Sequence, residues 1–127
     1  RNGFGVPENY AEAVKWYRLA AEQGYEKAQN KLGAMYSSGD GVPENYAEAL
    51  TWYRAAAEQG NARAQYSLGL MYDSGNGVPE NDSVAVKWYR LAAEQGHANA
   101  RYRLKFMDDY GFGVSESDAE VVKSGIQ

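Results

Sequence analysis

The chain offers few side chains that could carry out chemistry. It contains no cysteine and a single histidine, His97, so a thiolate nucleophile, a thiolate metal site and a disulfide framework are excluded. No nucleophile-elbow glycine motif is present to act with His97, which we interpret as a residue at a helix start rather than a general base. The turns at Asp40-Gly41 and Asn76-Gly77 lack the spaced acidic ligands of a calcium loop. We therefore predict a protein without enzymatic activity, metal or cofactor.

Glutamates are numerous, but they recur at equivalent positions of a repeated sequence. A pair of carboxylates for general acid–base catalysis needs two unlike environments, which near-identical repeats do not provide. Helix capping and solvation explain these residues better. They are Glu8, Glu44 and Glu80 in one series, and Glu22, Glu58 and Glu94 in another.

The three tryptophans also form a series, Trp16, Trp52 and Trp88, spaced 36 residues apart. A sugar- or choline-binding aromatic cage would need several rings that converge on an exposed site. Because these tryptophans lie among alanines on a stripe that each full repeat shares, we predict that all three belong to the core.

Composition narrows the function classes further. The 127 residues are 24% charged with a net charge of −4 and a sequence pI near 5.0, so the basic stripe that a phosphate backbone requires is missing and we expect no nucleic-acid partner. No apolar run is long enough to span a membrane. The chain opens at Arg1, inside a repeat, and we interpret it as a segment of a longer array whose compartment is unknown.

The positions of these residues are set by a repeat of 36 residues. Full copies run over 5–40, 41–76 and 77–112, and a degenerate half-repeat covers 113–127. The first two copies are identical at 25 of 36 positions. A fixed period of this length is typical of solenoids, and we interpret 1–127 as a single repeat domain.

Each repeat carries two helical patterns. Apolar residues at spacings of three and four, as in Ala49, Trp52 and Tyr53, form one stripe on a helix. Short connections between the patterns predict antiparallel neighbours. The expected helices lie near 9–23, 25–38, 45–59, 61–74, 82–95, 97–110 and 117–124, which makes the chain all-α.

Polar residues mark the starts of the first helix of each repeat. An Asn or Ser followed three residues later by Glu is a capping-box arrangement, and it occurs at Asn9, Asn45 and Ser117. In the third copy Val84 replaces the glutamate, and we expect Asp82 to provide the cap instead.

Glycines have two predicted roles. Gly24, Gly60 and Gly96 stand where a left-handed residue ends a helix. Gly33 and Gly69 fall inside a helix, where glycine costs about 1 kcal/mol relative to alanine. A residue kept against its propensity predicts that another helix approaches closely there.

The motif resembles a known family. The stretch Ala64 to Tyr72 contains Leu68-Gly69 and is followed by a Gly-x-Gly-Val turn, and the second half carries the Trp88-Tyr89 pair, two alanines and a glycine. This pattern is similar to the Sel-one-like repeat, a relative of the tetratricopeptide repeat. The resemblance implies a right-handed α/α superhelix of antiparallel hairpins, common in bacteria and often exported, that binds proteins or peptides. It also implies that the Leu-Gly-Tyr helix lines the concave surface, although Lys105 and Asp108 depart from the pattern.

Positions that differ between repeats indicate where a partner could bind. On the inner helices, variable aromatic and apolar residues flank the invariant stripe and have a polar border, which is the usual anatomy of a protein-binding patch. Packing between adjacent repeats would explain the aromatic residues equally well. The candidate protein-binding residues are Lys27, Asn30, Arg63, Tyr66, Leu70, Asp73, Asn99, Tyr102, Phe106 and Asp109.

Two other functions stay open. The chain could be a structural spacer between flanking domains, and the resemblance also brings in a cell-wall or antibiotic-related enzyme, for which the sequence supplies no catalytic residues. Variation along the inner helices favours a binding module over a spacer. An apolar face on the first helix could also recruit a second copy of the chain, so that chains stack end to end.

Overall fold

The repeats fold into a series of α-helices. The computed structural model describes the backbone of residues 6–110 and the side chains of residues 9–107. Within that range there are six helices and no strand: α1 Val6–Glu22, α2 Glu26–Ser38, α3 Tyr46–Glu58, α4 Ala62–Ser74, α5 Asp82–Glu94 and α6 Ala98–Tyr110. Apart from the start of α1, the predicted ends hold to within one residue. The helix expected at 117–124 and the cap at Ser117 lie outside the described residues.

The predicted start of α1 and the predicted cap of α5 are wrong. Helix α1 begins at Val6, so Asn9 lies within the helix and does not cap it. Pro7 falls in the first turn, where a missing N–H removes no helical hydrogen bond. Before α5 the side chain of Asn81, not of Asp82, accepts a hydrogen bond from the Val84 amide, at 3.1 Å. An Asn cap needs only a backbone amide three residues on, so the loss of the glutamate does not displace it.

The residues form two compact units, one running to Gln65 and the other beginning at Tyr66. In the N-terminal unit α2 packs on both α1 and α3. At one end of the α2–α3 pair the Asn45 amide donates to the Tyr36 carbonyl, at 2.9 Å. At the other end the Gln59 side chain donates to the Gly24 carbonyl, at 3.0 Å. Contacts at opposite ends show that these helices are antiparallel, as predicted.

The mid-helix glycines receive aromatic rings from the neighbouring helix. A Cβ atom at Gly33 would lie 2.8 Å from Cδ1 of Tyr53, and one at Gly69 would lie 2.5 Å from Cδ1 of Tyr89. Real Cβ contacts are not that short, so a side chain at either position would overlap the ring. This confirms the predicted close approach and identifies a tyrosine ring as the group that approaches. The predicted left-handed glycines are also confirmed, with φ of 94°, 96° and 90° at Gly24, Gly60 and Gly96.

One polar position of each repeat joins a helix to the last turn of the helix before it. Gln29 and Gln65 are buried, and their side chains donate to the carbonyls of Ala21 and Ala57, at 3.1 and 3.2 Å. Arg101 occupies the same position and donates to Ala93, at 3.3 Å. Each of these carbonyls also accepts from the amide of the glycine that ends the helix, Gly24, Gly60 or Gly96, at 2.9 Å. The side chain therefore adds a second hydrogen bond at the end of each helix.

The core of the C-terminal unit forms around Tyr89. Ala85, Val86, Tyr89 and Met107 are buried together where α5 packs on α6. The Tyr89 hydroxyl donates to a carboxylate oxygen of Asp73, at 3.0 Å. Burial first, and then the Asp73 charge, raises the pKa of Tyr89 above its ordinary value, so the phenol stays protonated and the bond persists at neutral pH.

Candidate functional site

The N-terminal unit contains an open groove of about 840 Å³ beside α2. Its walls are the side chains of α1, one face of α2 and the start of α4. We call it the α2 groove and define it by Trp16, Lys27, Asn30, Lys31, Asn61 and Arg63; Tyr17 and the alanines at 20, 28 and 62 complete the lining. Its volume lies in the range of ligand-binding clefts, about 300–1,000 Å³.

Trp16 corrects the prediction that the tryptophan series is core. It is 63% exposed and lines the groove, whereas Trp52 and Trp88 are half-buried. The apolar stripe of these helices is wide, and its central residue is the tyrosine that follows each tryptophan. Tyr53 and Tyr89 are accordingly buried, while the tryptophan stands at the edge of the stripe. An edge position can face either a neighbour or solvent, and Trp16 faces solvent.

The α2 groove brings together three of the predicted binding residues and adds others. Lys27, Asn30 and Arg63 were candidates from the sequence, and all three line the groove. Lys31, Asn61 and Trp16 were missed. For Lys31 a signal was available, since it stands one helical turn after Lys27 on the same face.

The electrostatic character of the groove is positive. Lys27, Lys31 and Arg63 are all exposed, and none of the described residues that line the groove is acidic. The carboxylate of Glu26, which does not line the groove, accepts a hydrogen bond from the Asn61 side chain. Asn61 in turn caps α4 by accepting from the Ala64 amide, at 2.8 Å, so the positive end of the α4 dipole adds to the three cations.

The C-terminal unit presents a different surface on α6. Tyr102 is 72% exposed and Phe106 is 42% exposed, one helical turn apart, with the exposed Asn99 preceding them. We call Asn99, Tyr102 and Phe106 the α6 surface. The side chain of Asp109, the last predicted residue of this series, lies outside the described side chains.

Two other predicted residues contribute to packing. Tyr66 and Leu70 are partly buried against the core around Tyr89. The Tyr66 ring lies 5.7 Å from that of Tyr89 and stacks on His97, at 4.7 Å between centroids. Its hydroxyl also accepts a hydrogen bond from Arg103. These contacts are what the packing interpretation of the aromatic residues requires.

Asp73 belongs to a cavity of about 330 Å³ that includes acidic residues. Glu80, Asp82, Arg103, Phe106 and Met107 line it with Asp73. Asp73 pairs with Arg103, at 3.6 Å, while one carboxylate oxygen of Asp82 is buried with no hydrogen-bond partner among the described residues. Burial, and then the charges of Asp73 and Glu80, raise the pKa of Asp82 above its ordinary value.

His97 lies at the start of α6, as predicted. Its Nδ1 atom accepts a hydrogen bond from the Ala100 amide, at 3.2 Å. That bond and the Tyr66 stack account for the ring as a helix cap. Among the described side chains, those of residues 9–107, no group of three or more His, Asp or Glu residues is placed to hold a metal ion. No described helix is long and apolar enough to cross a membrane.

The described residues form helices that follow one another along the chain, and equivalent glycines contact equivalent tyrosine rings in successive repeats. These features define an all-α solenoid of helical repeats. The Sel1 repeat family model matches residues 1–25, 26–61 and 62–97. The chain therefore belongs to the Sel1 repeat family. Such repeats are typically protein-interaction scaffolds and generally non-catalytic.

Solved structures support the same assignment. The crystal structure of c5321, a protective antigen of uropathogenic Escherichia coli strains with an SLR fold, is similar with a TM-score of 0.83 and 46% identity over 93% of this chain. A Sel1 repeat protein from Oxalobacter formigenes is similar with a TM-score of 0.78 and 42% identity over 84% of this chain. The matches cover 25% and 44% of those two proteins. No curated protein sequence matches the chain.

Proposed function

We propose that this chain is a non-enzymatic scaffold that binds a protein or peptide segment through side chains of its inner helices. The α6 surface carries the proposal. Tyr102 and Phe106 expose large aromatic rings one turn apart. Covering an exposed tyrosine or phenylalanine ring with a partner removes apolar surface from water, which lowers the free energy of the complex. Aromatic anchors of this kind provide much of the affinity of protein interfaces.

Six of the predicted binding residues fall into two groups according to their contacts. Tyr66, Leu70 and Asp73 have packing or hydrogen-bonding roles inside the C-terminal unit, so they support the surface without anchoring a partner. Lys27, Asn30 and Arg63 are accessible in the α2 groove. A spacer between domains would need no exposed aromatic pair, and a cell-wall or antibiotic-related enzyme would need a nucleophile or an acid–base pair beyond the cap formed by His97.

Peptide selection against the whole chain tests the proposal. A peptide library displayed on phage would be panned on the immobilised protein, and the selected peptides would be titrated against Tyr102→Ala and Phe106→Ala. We expect each variant to weaken binding by about tenfold or more, which is typical of an interface anchor. Leu91→Ala is the matched control, because Leu91 on α5 is also 42% exposed.

Thermal unfolding of each variant separates binding from folding. The proposal requires that the α6 variants unfold within a few degrees of the parent while losing peptide. If they unfold much earlier but bind normally per folded molecule, Tyr102 and Phe106 belong to the core and the proposal is wrong. Equal loss of binding in Leu91→Ala would count against a specific role for α6.

A further inference from the structure

The α2 groove combines an exposed indole with unopposed positive charge. Trp16 has most of its surface in water, and Lys27, Lys31 and Arg63 extend into the same groove. No ion pair involves any of these three cations within the described part of the chain. The chain as a whole carries a net charge of −4, so this groove is positive on an otherwise acidic molecule.

The spacing of the two lysines matches an extended peptide. Residues one turn apart on a helix are separated by about 6 Å along its axis. Side chains two residues apart on one face of an extended strand are separated by about 7 Å. Alternate acidic residues of an extended segment can therefore pair with Lys27 and Lys31 in turn, while Arg63 and the start of α4 attract a further carboxylate.

We propose that the α2 groove binds an extended acidic peptide segment, with acidic residues at alternate positions and an aromatic side chain that packs on Trp16. This rests on the proposed function and specifies the chemistry of one partner. A single-stranded nucleic acid also combines rings with negative charge. Three cations on an acidic chain make a poor track for a polyphosphate, so the peptide is the better complement.

The test uses the whole chain and fluorescein-labelled octapeptides. Fluorescence anisotropy would compare the binding of four labelled ligands. They are alternating Glu-Tyr, its neutral isostere Gln-Tyr, alternating Glu-Ser, and the oligonucleotide (dT)8. We expect Glu-Tyr to bind about tenfold more tightly than either Gln-Tyr or Glu-Ser, since each of these lacks one of the two contacts. Raising the salt concentration should weaken the binding of the Glu-Tyr peptide and leave the binding of the Gln-Tyr peptide nearly unchanged.

Variants locate the site. Lys27→Glu and Arg63→Glu should each weaken Glu-Tyr by about fivefold or more, and Trp16→Ala should weaken both tyrosine peptides. Lys87→Glu is the control, because it reverses one exposed charge on α5, outside the groove. Circular dichroism would establish that each variant keeps its helices.

Several outcomes would overturn the inference. The inference is wrong if the Glu-Tyr peptide does not bind, or if it binds no more tightly than Gln-Tyr or (dT)8. It is also wrong if Lys87→Glu loses as much affinity for the Glu-Tyr peptide as the groove variants do. The peptides selected for binding to the α6 surface show whether only the acidic-peptide inference has failed or the proposed scaffold function has failed too. If they still bind the parent and Lys27→Glu, the scaffold role stands and only the acidic partner is wrong.

Discussion

Replacing Gly69 with alanine tests how a ring and a helix backbone share space. The Gly69 Cα faces the Tyr89 ring, and an added Cβ would lie 2.5 Å from both Cδ1 and Cε1 of that ring. Alanine is favoured over glycine inside a helix by about 1 kcal/mol. Helix propensity alone therefore predicts that Gly69→Ala stabilises the protein, whereas the contact with Tyr89 predicts the opposite.

The free-energy cost of Gly69→Ala depends on whether the Tyr89 ring can move away from the added Cβ. Tyr89 is fully buried, and its hydroxyl is held by Asp73 at 3.0 Å. Overpacking at a site that cannot relax costs about 1–3 kcal/mol. After the propensity gain is subtracted, we expect Gly69→Ala to lower the free energy of unfolding by up to about 2 kcal/mol.

A double-mutant cycle in urea isolates the contact. Unfolding would be measured for the parent, Gly69→Ala, Tyr89→Ala and the double variant. Without the ring, the Gly69 substitution should become stabilising by about 1 kcal/mol, so that the coupling energy is about 1–3 kcal/mol. Removing a buried aromatic ring costs about 3–5 kcal/mol, and Tyr89→Leu replaces Tyr89→Ala if the latter does not fold.

The equivalent site in the N-terminal unit provides the comparison. At Gly33 the added Cβ would lie 2.8 Å from the Tyr53 ring, so Gly33→Ala should cost less than Gly69→Ala. If Gly69→Ala raised the stability equally with and without the ring, the ring would not press on the helix. The physical explanation of both glycines would then be wrong.

Three further predictions concern polar groups. His97→Ala should lower stability by about 1 kcal/mol because it removes the cap of α6, while His97→Asn should retain most of it; equal urea midpoints for the two variants would contradict the cap. Gln65→Ala should cost about 1–2 kcal/mol through the lost bond to the Ala57 carbonyl, and an unchanged midpoint would show that the bond contributes nothing. The pKa of Asp82 is raised in the folded protein, so folding favours the protonated carboxyl. The protonated carboxyl therefore contributes its stability below the ordinary aspartate pKa of 3.8, and this stability is lost as the pH rises through the folded-state pKa of Asp82. Asp82→Asn should therefore stabilise the protein at pH 7 but not below about pH 3.8; lower stability at pH 7 would show that the attraction of the carboxylate to the helix N-terminus outweighs its burial.

The helices could be predicted because each signal for them is local. A cap residue such as Asn45, an apolar period and a terminating glycine such as Gly60 act within a few residues. The start of α1 and the cap of α5 were wrong because local signals can have more than one local solution. Pro7 is compatible with a helix that begins before Asn9, and Asn81 can cap α5 as well as Asp82 can.

The binding surfaces were harder to predict because they depend on neighbours from other helices. Tyr66 and Tyr102 occupy equivalent positions of successive repeats, and the sequence offered no reason to treat them differently. In the structure Tyr66 is packed between Tyr89, His97 and Arg103, whereas Tyr102 is mostly exposed. Their difference lies in what surrounds each ring, and only the fold supplies that information.

Comparison between repeats is therefore an incomplete guide to function. It assigns invariant positions to the scaffold and variable positions to binding, yet Trp16 is invariant and exposed while Tyr66 is variable and packed. The α2 groove joins both kinds of residue, since an indole repeated in each full copy stands beside charges, Lys27 and Lys31, that the other copies do not repeat together. An invariant ring can provide affinity for any partner with an apolar side chain, and the charges beside it decide which partner is accepted. Repeats of nearly identical sequence can in this way differ in specificity without any change in the scaffold.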